Sequence, residues 1–560
     1  MIQAATGNHR RILKPITTIM ASISLFACYQ TSWKVDYASP IEDSRNYSVT
    51  SASDNQGNLL VGGASAVEIG LDNRGNTSTH FQALLQKYNS QGELLWQFEY
   101  DNGLRRDPAQ YQFYNGGAEI SAIAVASDNN IFAAGMVPGI SYETNPQDYD
   151  LAVYKINENG DLIWQQVFEN PSLDTPIEIG INSENTLLLA VGHINSSESG
   201  SVEALALSSS TGEILWSHEH ETSHIVGYSL PYRSAADIHP SSISENRIAI
   251  ASPQNEVWVY DSNGNLIHQL PSTPDQTDPN ANAACTPGVA EAHTVLGLGF
   301  ENEALYVTEA RTSFGCLTSL SQLSIKKYNS EGDLIWTSLL PDTLGTGTDA
   351  EYVEFLKGNR SSYAPFSIRS NFLGSKILVA EDSVYITSSA TSRYHHMSLF
   401  NPVVNLDSLV FAVNKNGVPL WTHEASSIPL IIENQDSDEY PTILSTWQNV
   451  VGLSIAQNND LILALNTQKV EGEIITEGSF NDANLIEHSS TLLALNPTTG
   501  EADYFGYENG FLARSISATT NNQITKVGDN YTYRPAWWWA IPDTIKDATS
   551  LIHISAYNTK

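Results

Sequence analysis

The chain has 560 residues, with 62 acidic and 27 basic side chains and a formal net charge of −35 at pH 7. This charge excludes a nucleic-acid partner, which demands a basic surface, and it disfavours electrostatic docking on anionic lipid. Taken alone, the acidity indicates a surface that stays soluble rather than a particular ligand. The length would suggest about four domains, but an internal repeat assigns nearly the whole chain to one domain.

The N-terminus has the pattern of an export signal. Residues 1–15 carry three basic side chains and no acidic one, and residues 16–27 form an apolar run that is too short to cross a bilayer as a helix. The run ends in LFAC and so resembles a bacterial lipoprotein signal, in which cleavage precedes the cysteine, here Cys28, and its thiol receives a lipid. Tyr29 stands where that family's inner-membrane retention signal has aspartate, so the resemblance implies the outer membrane. The alternative is an ordinary secretory peptide with an incidental cysteine.

A recurring outer hairpin begins with a polar turn and a glycine and continues as a strand, first seen as KYNSQGELLW at 87–96. The glycine supplies the positive φ of a tight hairpin, and the alternating apolar residues bury one face of the strand. Seven copies end at Trp96, Trp164, Trp216, His268, Trp336, Trp421 and Tyr504.

A second, inner hairpin precedes each of these copies. It consists of a short apolar run, a polar turn and an apolar strand. Its eight copies have turns that begin at Asp54, Ser127, Ser183, Ser244, Glu301, Glu381, Gln457 and Thr520. One unit is therefore strand, turn, strand, variable loop, strand, turn, strand, which is the four-stranded antiparallel blade of a β-propeller. The sequence predicts an all-β fold with eight blades.

The eight inner hairpins exceed the seven outer hairpins by one. The missing outer strand lies at the other end of the chain, where Trp33 belongs to the alternating segment SWKVDYAS. We expect this strand to complete the last blade beside residues 551–557 and to remove free sheet edges. The predicted organisation is a signal peptide at 1–27, a lipidated tether at 28–31 and one propeller at 32–560. A stack of separate sandwiches is the rival fold, which would leave the split unit unexplained.

The repeats resemble those of known propeller families. ALALSSSTGEILW and LLALNPTTGEADY look like PQQ-type repeats, and KINENGDLIW looks like the related SBBP-type bacterial repeat. The resemblance implies a blade and says little about chemistry. Quinoprotein dehydrogenases have eight blades and an adjacent pair of cysteines against the cofactor, and this sequence has no such pair. The outer-membrane assembly lipoproteins of the BamB type share the lipid anchor, the eight blades and the lack of catalysis, although no stretch identifies BamB itself.

Two cysteines remain after the signal, Cys285 and Cys316. In an oxidising periplasm they are expected to form a disulfide, and two free buried thiols are the alternative. No cysteine or histidine spacing indicates zinc or haem.

The tetrapeptides WSHE at 216–219 and WTHE at 421–424 repeat a histidine beside a tryptophan, and His220 shares a strand face with His218. Both lie on predicted outermost strands, far from the axial mouth where propellers bind ligands, so we expect no metal site there. The innermost strands offer Glu119, Asp237, His239, Glu291 and His293. Of these, Asp237 and His293 occupy equivalent positions and are candidate ligand-binding residues, but the sequence shows no ring of like groups and no convergent acid/base pair.

Trp537, Trp538 and Trp539 are adjacent, and strand alternation would point Trp538 away from its neighbours. At least one ring is therefore a candidate for stacking on a sugar or for binding a protein. The alternative is that all three pack between the last and first blades. The acidic loop NQDSDE at 434–439 could hold Ca²⁺, although it lacks the spacing of known calcium loops.

These patterns predict a lipid-anchored propeller on the bacterial outer membrane, facing the periplasm or the exterior. It is expected to be a monomeric, non-catalytic binding or scaffolding module for an envelope protein or a glycan, held to the membrane by its lipid alone. No cofactor is expected, PQQ is disfavoured and Ca²⁺ is left open. The alternative is an enzyme with an axial site, of quinoprotein-dehydrogenase or carbohydrate-active type. A soak with PQQ and calcium, a glycan array and a pull-down would distinguish these functions.

Overall fold

The computed structural model describes most of the chain between residues 30 and 558. The described ranges are 30–41, 46–71, 77–105, 115–143, 145, 148–170, 172–194, 200–222, 240–252, 256–270, 276–277, 289–314, 319–340, 366–395, 403–425, 430–432, 442–475, 479–519, 521–529 and 551–558. In these ranges the regular secondary structure consists of β-strands. The described residues contain no helix, and so none that is long and apolar enough to cross a bilayer.

The strands follow one another in hairpins along the chain. The first are β1 (Gln30–Tyr37), β2 (Asn46–Ser53), β3 (Leu59–Leu71), β4 (Thr77–Tyr88), β5 (Leu94–Tyr100), β6 (Asn115–Gly117), β7 (Glu119–Val125), β8 (Ile131–Pro138), β9 (Tyr149–Ile156), β10 (Leu162–Phe168), β11 (Leu173–Ile181), β12 (Thr186–Ile194), β13 (Gly200–Ser208) and β14 (Ile214–Thr222). The next are β15 (Ser241–Ile243), β16 (Arg247–Ala251), β17 (Val257–Asp261), β18 (Leu266–Leu270), β19 (Gln276–Thr277), β20 (Val289–Glu301), β21 (Ala304–Phe314), β22 (Ser319–Tyr328) and β23 (Leu334–Leu339). The last are β24 (Phe366–Val379), β25 (Ser383–His395), β26 (Val403–Asn414), β27 (Pro419–Ala425), β28 (Leu430–Ile432), β29 (Thr442–Ile455), β30 (Leu461–Ile475), β31 (Ser479–Leu495), β32 (Ala502–Asn509), β33 (Leu512–Thr519), β34 (Gln523–Asp529) and β35 (Ile552–Asn558).

Four consecutive antiparallel strands form the repeating unit, as the sequence predicts. The units are β2–β5, β7–β10, β11–β14, β15–β18, β20–β23, β24–β27 and β29–β32, and the last is β33–β34–β35 with β1. Short parallel pairings link neighbouring units through β9 with β11 and through β26 with β29, and β4 pairs in the same way with β6, which precedes the second unit.

The N-terminal strand lies in the last sheet. β1 pairs antiparallel with β35, with Trp33 opposite Ala556 and Tyr37 opposite Ile552. This is the pairing that the count of hairpins predicts. β1 begins at Gln30, two residues before the predicted start of the domain, because the ladder already includes Gln30 opposite Asn558.

The first strand of each unit contacts the first strand of the next. The contacts run β2–β7, β7–β11, β11–β15, β15–β20, β20–β24, β24–β29 and β29–β33, and β33 in turn contacts β2. Ser53 and Ser517 join these last two strands through a hydroxyl–hydroxyl hydrogen bond of 2.8 Å. Radially arranged four-stranded sheets of this kind are the architecture of a β-propeller.

Apolar side chains pack between the faces of adjacent sheets. One cluster joins Leu85 and Phe98 of the first sheet to Ala152 and Tyr154 of the second. Another joins Leu59 and Val61 of the first sheet to Val527 and Ile554 of the last, with Trp33 packed against it. The core is therefore a series of layers between sheets, the arrangement by which stacked repeats bury the faces that a single repeat leaves exposed.

The repeated tryptophan and glycine form a joint between consecutive sheets. The Trp96 indole N–H donates to the carbonyl oxygen of Glu158 at 2.9 Å, and a Cβ on Gly160 would lie 2.8 Å from the same ring. Equivalent joints pair Trp33 with Gly92, Trp164 with Gly212, Trp216 with Gly264, His268 with Gly332, Trp336 with Gly417 and Trp421 with Gly500. The outer hairpin motif thus encodes contact with the neighbouring sheet as well as its own turn.

Candidate binding face

The two ends of each sheet differ in the connections that they carry. At one end, here called the base end, tight turns join the first strand to the second and the third to the fourth; in the first sheet these turns are 54–58 and 89–93. The opposite end of each sheet, here called the loop end, is where the strands joined by the remaining connections begin or finish; these connections include 139–148, 223–240, 340–365 and 530–551. Variation in length is concentrated there, as is usual for a binding surface on a rigid scaffold.

The base-end turns are nearly uniform because side chains close them. The Asn89 side-chain oxygen accepts hydrogen bonds from the backbone N–H groups of Gln91 and Glu93, both at 2.9 Å. Asn157, Asp261, Asn329 and Asn414 close equivalent turns in other sheets. Such self-contained turns leave few polar groups free for a ligand.

The connection between β8 and β9 carries an exposed apolar residue at the loop end. The backbone N–H of Ser141 donates to the Asp148 carboxylate at 2.6 Å, and Tyr142 bonds to Tyr149 through their hydroxyls at 2.8 Å. Ile140 follows the end of β8 by two residues and is 79% exposed, the largest value among the exposed large hydrophobic side chains of the described residues. An apolar residue on a loop held by buried contacts is suited to protein recognition.

A charged chain crosses the third sheet near the same end. Nδ1 of His193 lies 2.7 Å from Oδ1 of Asp174, and Nε2 lies 3.1 Å from Oε2 of Glu203. Burial alone would lower the pKa of His193, but these two carboxylates raise it to about 10. The imidazolium therefore donates to both carboxylates at neutral pH and ties β11, β12 and β13 together.

Asp150 lies next to this chain on β9. Burial raises its pKa to about 6, and the neighbouring Asp148 and Asp174 carboxylates add to the increase. The backbone N–H of Asn170 donates to the Asp150 carboxylate at 3.1 Å, and this hydrogen bond opposes the increase in pKa. The second and third sheets thus meet at an acidic edge in which His193 neutralises part of the charge.

A cavity of about 390 Å³ opens between the last two sheets. Its lining consists of Lys34, Asp36, Tyr507, Glu508, Asn509, Gly510, Phe511, Leu551 and His553. Oε1 of Glu508 accepts from Lys34 at 2.5 Å and from the Ser555 hydroxyl at 2.7 Å, and His553 bridges Glu508 and Asp36. The charged groups of the wall therefore bind one another and hold β1 to its neighbours.

Behind this wall lies the fully buried ammonium group of Lys526. It donates to the Gly506 carbonyl at 2.6 Å and to the Ser490 hydroxyl at 2.9 Å, and it lies 2.7 Å from Oε2 of Glu508. Burial lowers the pKa of Lys526 to about 8, although Glu508 opposes the shift. Burial alone would raise the pKa of Glu508, but His553 and Lys526 hold it below its usual range. The cluster is a neutralised structural network.

The axial candidates that the structure describes lie on the first strands of two different sheets. Glu119 is buried at the start of β7 and accepts from the Tyr47 hydroxyl at 2.8 Å; burial raises its pKa. His293 and Glu291 lie on β20, His293 half-buried and opposite Arg311, and Glu291 opposite Ser313. Asp237 and His239 lie outside the described residues.

The paired WSHE and WTHE histidines contact the next sheet. His218 lies 2.8 Å from the Gly264 carbonyl and stacks on Tyr260, and His220 stacks on Trp258 at a centroid distance of 3.8 Å. His423 lies against the backbone of Gly500 in the equivalent place. In the part of the chain that the structure describes, no group of three or more His, Cys, Asp or Glu is arranged to hold a metal ion.

The remaining predicted site residues lie outside the described ranges. These are Cys28, Cys285, Cys316, Trp537, Trp538 and Trp539, together with the acidic loop 434–439. Their proposed roles stay predictions.

Sequence reasoning missed the His193 chain and the Lys526 cluster. A signal for the first was available, because Asp174 and His193 stand at nearly equal distances from the turn at 182–185 and so face each other in a hairpin. A signal for the second was a lysine between Ile524 and Val527 in the second strand of a hairpin, where it requires a partner if it is buried. The partner Glu508 comes from another sheet, and no local pattern identifies it.

Comparison with known proteins supports the fold and the family. A family model described as outer membrane protein assembly factor BamB matches residues 82–399, which is more than half of the chain. No curated protein sequence matches the chain.

Among solved structures, BamB from Moraxella catarrhalis is similar at 10% identity and a TM-score of 0.39, covering 95% of this chain and 98% of that one. Quinohemoprotein alcohol dehydrogenase from Comamonas testosteroni is similar at 10% identity and a TM-score of 0.45, covering 95% and 76%. The β-propeller domain of the Trilobed protease from Pyrococcus furiosus is similar at 8% identity and a TM-score of 0.35, covering 78% and 95%.

The family assignment does not depend on these distant structures. It rests on the extent of the sequence match, on the four-stranded antiparallel sheets and on the repeated joint of tryptophan and glycine. On these grounds the chain belongs to the PQQ-like β-propeller family described as outer membrane protein assembly factor BamB.

Proposed function

We propose that this chain is a lipid-anchored, eight-bladed propeller of the bacterial outer membrane whose loop end binds an envelope protein without catalysis. The proposal rests on a difference between the two ends of the sheets. Side chains close the tight turns at the base end, whereas the loop end has the connections of variable length and the exposed Ile140. Membership of a family named for outer-membrane assembly agrees with a scaffolding role.

The count of eight blades and a closed ring are part of the proposal. They are supported by the eight four-stranded units, by the contact of β33 with β2 and by the joint between Trp33 and Gly92. The ring gives the loops one rigid platform, so that several of them can contact a partner together.

A non-catalytic role is supported by the state of the charged groups. His193 binds two carboxylates, and Glu508 binds Lys34, His553 and Lys526, so these groups are engaged in holding strands together. The residues do not fit a quinoprotein site, because the three cysteines at 28, 285 and 316 include no adjacent pair. No cofactor is therefore proposed, and Ca²⁺ in the acidic loop 434–439 stays a prediction.

The test is a pull-down from envelope extract with matched variants of one sheet. Ile140→Asp and Glu169→Arg alter exposed side chains at the loop end, whereas Ile163→Asp and Glu158→Arg make the same changes at the base end. We expect the loop-end variants to lose a partner that the wild type and the base-end variants retain, as identified by mass spectrometry.

Retention of every partner by the loop-end variants would contradict binding at that face. A glycan array run in parallel distinguishes a sugar ligand from a protein partner. Dye-linked dehydrogenase turnover with PQQ and calcium would show that the protein is an enzyme rather than a scaffold. Fractionation of Cys28→Ser tests the anchor, since this protein should leave the membrane fraction. If it still sediments with membranes after salt and carbonate washing, the lipid is not what holds it there.

A further inference from the structure

The position of the N-terminal strand determines which end of the propeller the proposed anchor leaves from. β1 is the outermost strand of the last sheet, and its first residue, Gln30, lies opposite Asn558 at the end of β35. The outermost strands run from the base end to the loop end, as β5 does from Leu94 to Tyr100. Gln30 is therefore at the base end, and the Trp33 indole beside it donates to the Ser90 carbonyl of a base-end turn at 2.9 Å.

The covalent distance from Gln30 to the proposed lipid is short. Cys28 precedes Gln30 by two residues, so even a fully extended chain spans at most about 7 Å between them. β1 is held by its ladder to β35 and by the ion pair of Lys34 with Glu508 at 2.5 Å. A lipid on Cys28 is thus joined to a rigid part of the molecule without a long linker.

The base end also presents apolar side chains to solvent. At the start of the outermost strands of five consecutive sheets, two adjacent aliphatic residues are between 37% and 56% exposed. They are Leu94 with Leu95, Leu162 with Ile163, Ile214 with Leu215, Leu266 with Ile267, and Leu334 with Ile335. We call these ten residues the aliphatic rim. In β1 itself the equivalent residues are Thr31 and Ser32.

We infer that the base end faces the lipid bilayer, with the aliphatic rim at the headgroup region and the loop end directed away from the membrane. The inference rests on the proposed lipid anchor at Cys28 and goes beyond it, because an anchor alone does not orient a protein. The short connection brings the base end to the bilayer, and the rim gives that end exposed apolar area, which lowers the free energy of contact with lipid.

The charge of the base end restricts the kind of lipid. Exposed carboxylates precede four of the aliphatic pairs, namely Glu93, Asp161, Glu213 and Asp333. They would be repelled by anionic headgroups, whereas zwitterionic headgroups carry no net charge. The expected surface is therefore neutral lipid, contacted at the level of the headgroups without deep insertion.

The test measures the depth of the two ends of β5. A fluorophore is attached to Gln91→Cys at the base end or to Leu104→Cys at the loop end of the lipidated full-length protein, in phosphatidylcholine vesicles that contain headgroup nitroxide lipids. Labelling of the protein without an added cysteine gives the background from Cys285 and Cys316. We expect the Gln91 label to be quenched several-fold more than the Leu104 label. Equal quenching, or stronger quenching at Leu104, would overturn the orientation.

Two further measurements test separately the effect of lipid charge and the contribution of the aliphatic rim. Replacing part of the phosphatidylcholine with phosphatidylglycerol should reduce quenching of the Gln91 label at low salt, and an increase would overturn the choice of neutral lipid. The change Leu94→Asn with Leu95→Asn should also reduce it, and unchanged quenching would remove the rim from the contact. If Cys28→Ser leaves the membrane fraction but the labels at Gln91 and Leu104 are quenched equally, the lipid anchor is supported and only the orientation is refuted.

Discussion

Glycine in the turn of each outer hairpin meets two demands at the same position. Gly160 has a φ of 92°, which L side chains rarely adopt, and it also lies beneath the ring of Trp96. Gly103 has a φ of 76° but no atom within 4 Å of the place where a Cβ would be. The two positions therefore separate the backbone requirement from the requirement for space.

We expect Gly160→Ala to lower the free energy of unfolding more than Gly103→Ala does. Both substitutions place alanine in the left-handed region at about 1–2 kcal/mol, and Gly160→Ala adds overpacking against the indole, about 1–3 kcal/mol. Denaturant unfolding of both variants measures the difference. Equal losses would show that the joint tolerates a methyl group and that the glycine serves only the turn.

At the scale of elements, buried ion pairs hold strands in register. His193 links β12 to β11 and β13, and its pKa of about 10 is higher in the folded chain than the ordinary value of 6.5. A group with a raised pKa adds stability that is complete below its unfolded pKa and lost as the pH rises through its folded pKa.

His193→Gln should therefore destabilise the protein most below about pH 6.5, and the difference from wild type should shrink as the pH rises toward 10. Lys526, with a pKa of about 8, lies in another sheet, so its titration occurs in both proteins and cancels in the difference. Urea unfolding at several pH values between 6 and 10 provides the measurement. A difference that stays constant with pH would mean that His193 acts by packing rather than by charge.

The disulfide between Cys285 and Cys316 stays a prediction, because both cysteines lie outside the described residues. The described strands nearest to them, β20 and β21, pair antiparallel, with Glu291 opposite Ser313. We expect non-reducing peptide mapping to find a bond between the two cysteines. In the chain-entropy model a loop of this length adds about 3–4 kcal/mol, so reduction or Cys316→Ser should lower stability by a comparable amount. Two free thiols in the native protein would refute the bond.

At the scale of the whole molecule, the N-terminal strand joins the two ends of the chain. Trp33 packs against the cluster of Leu59, Val61, Val527 and Ile554, which belongs to both the first and the last sheet. Removing a buried aromatic side chain costs up to about 3–5 kcal/mol. We expect Trp33→Ala to lower the midpoint of unfolding clearly, and Tyr507→Ala, which removes a ring that is 58% exposed, to change it little. Equal changes in the midpoint for the two variants would show that Trp33 does not stabilise the contact between the first and last sheets.

Deletion of residues 31–39 should have a different consequence. It removes most of β1 and leaves the outer edge of β35 without its hydrogen-bonding partner. Such an edge pairs readily with another chain, so light scattering after size-exclusion chromatography should reveal oligomers, whereas Trp33→Ala, which keeps the strand, should stay monomeric. A monomeric deletion protein of unchanged stability would contradict the proposed closure.

Local sequence patterns were enough to predict the repeating unit and the place of β1. Alternating apolar residues, glycine turns and the mismatch between eight inner and seven outer hairpins are local or countable properties, and strands with period-two patterns have few other ways to bury one face. Trp33 could be assigned to the last sheet because every other outer strand already had a partner hairpin.

The partners of several charged and aromatic residues could not be predicted before the packing of the sheets was known. The histidines at 218 and 423 proved to pack on neighbouring sheets, and Glu508, Lys526 and His553 meet although they come from three different strands. The joint of tryptophan and glycine is a contact between sheets that does repeat in the sequence. Other contacts between sheets depend on strand twist and on the rotation from one sheet to the next, and these leave no local pattern. The register within a hairpin follows from its turn, whereas the partner of a residue such as Lys526 in another sheet follows from packing.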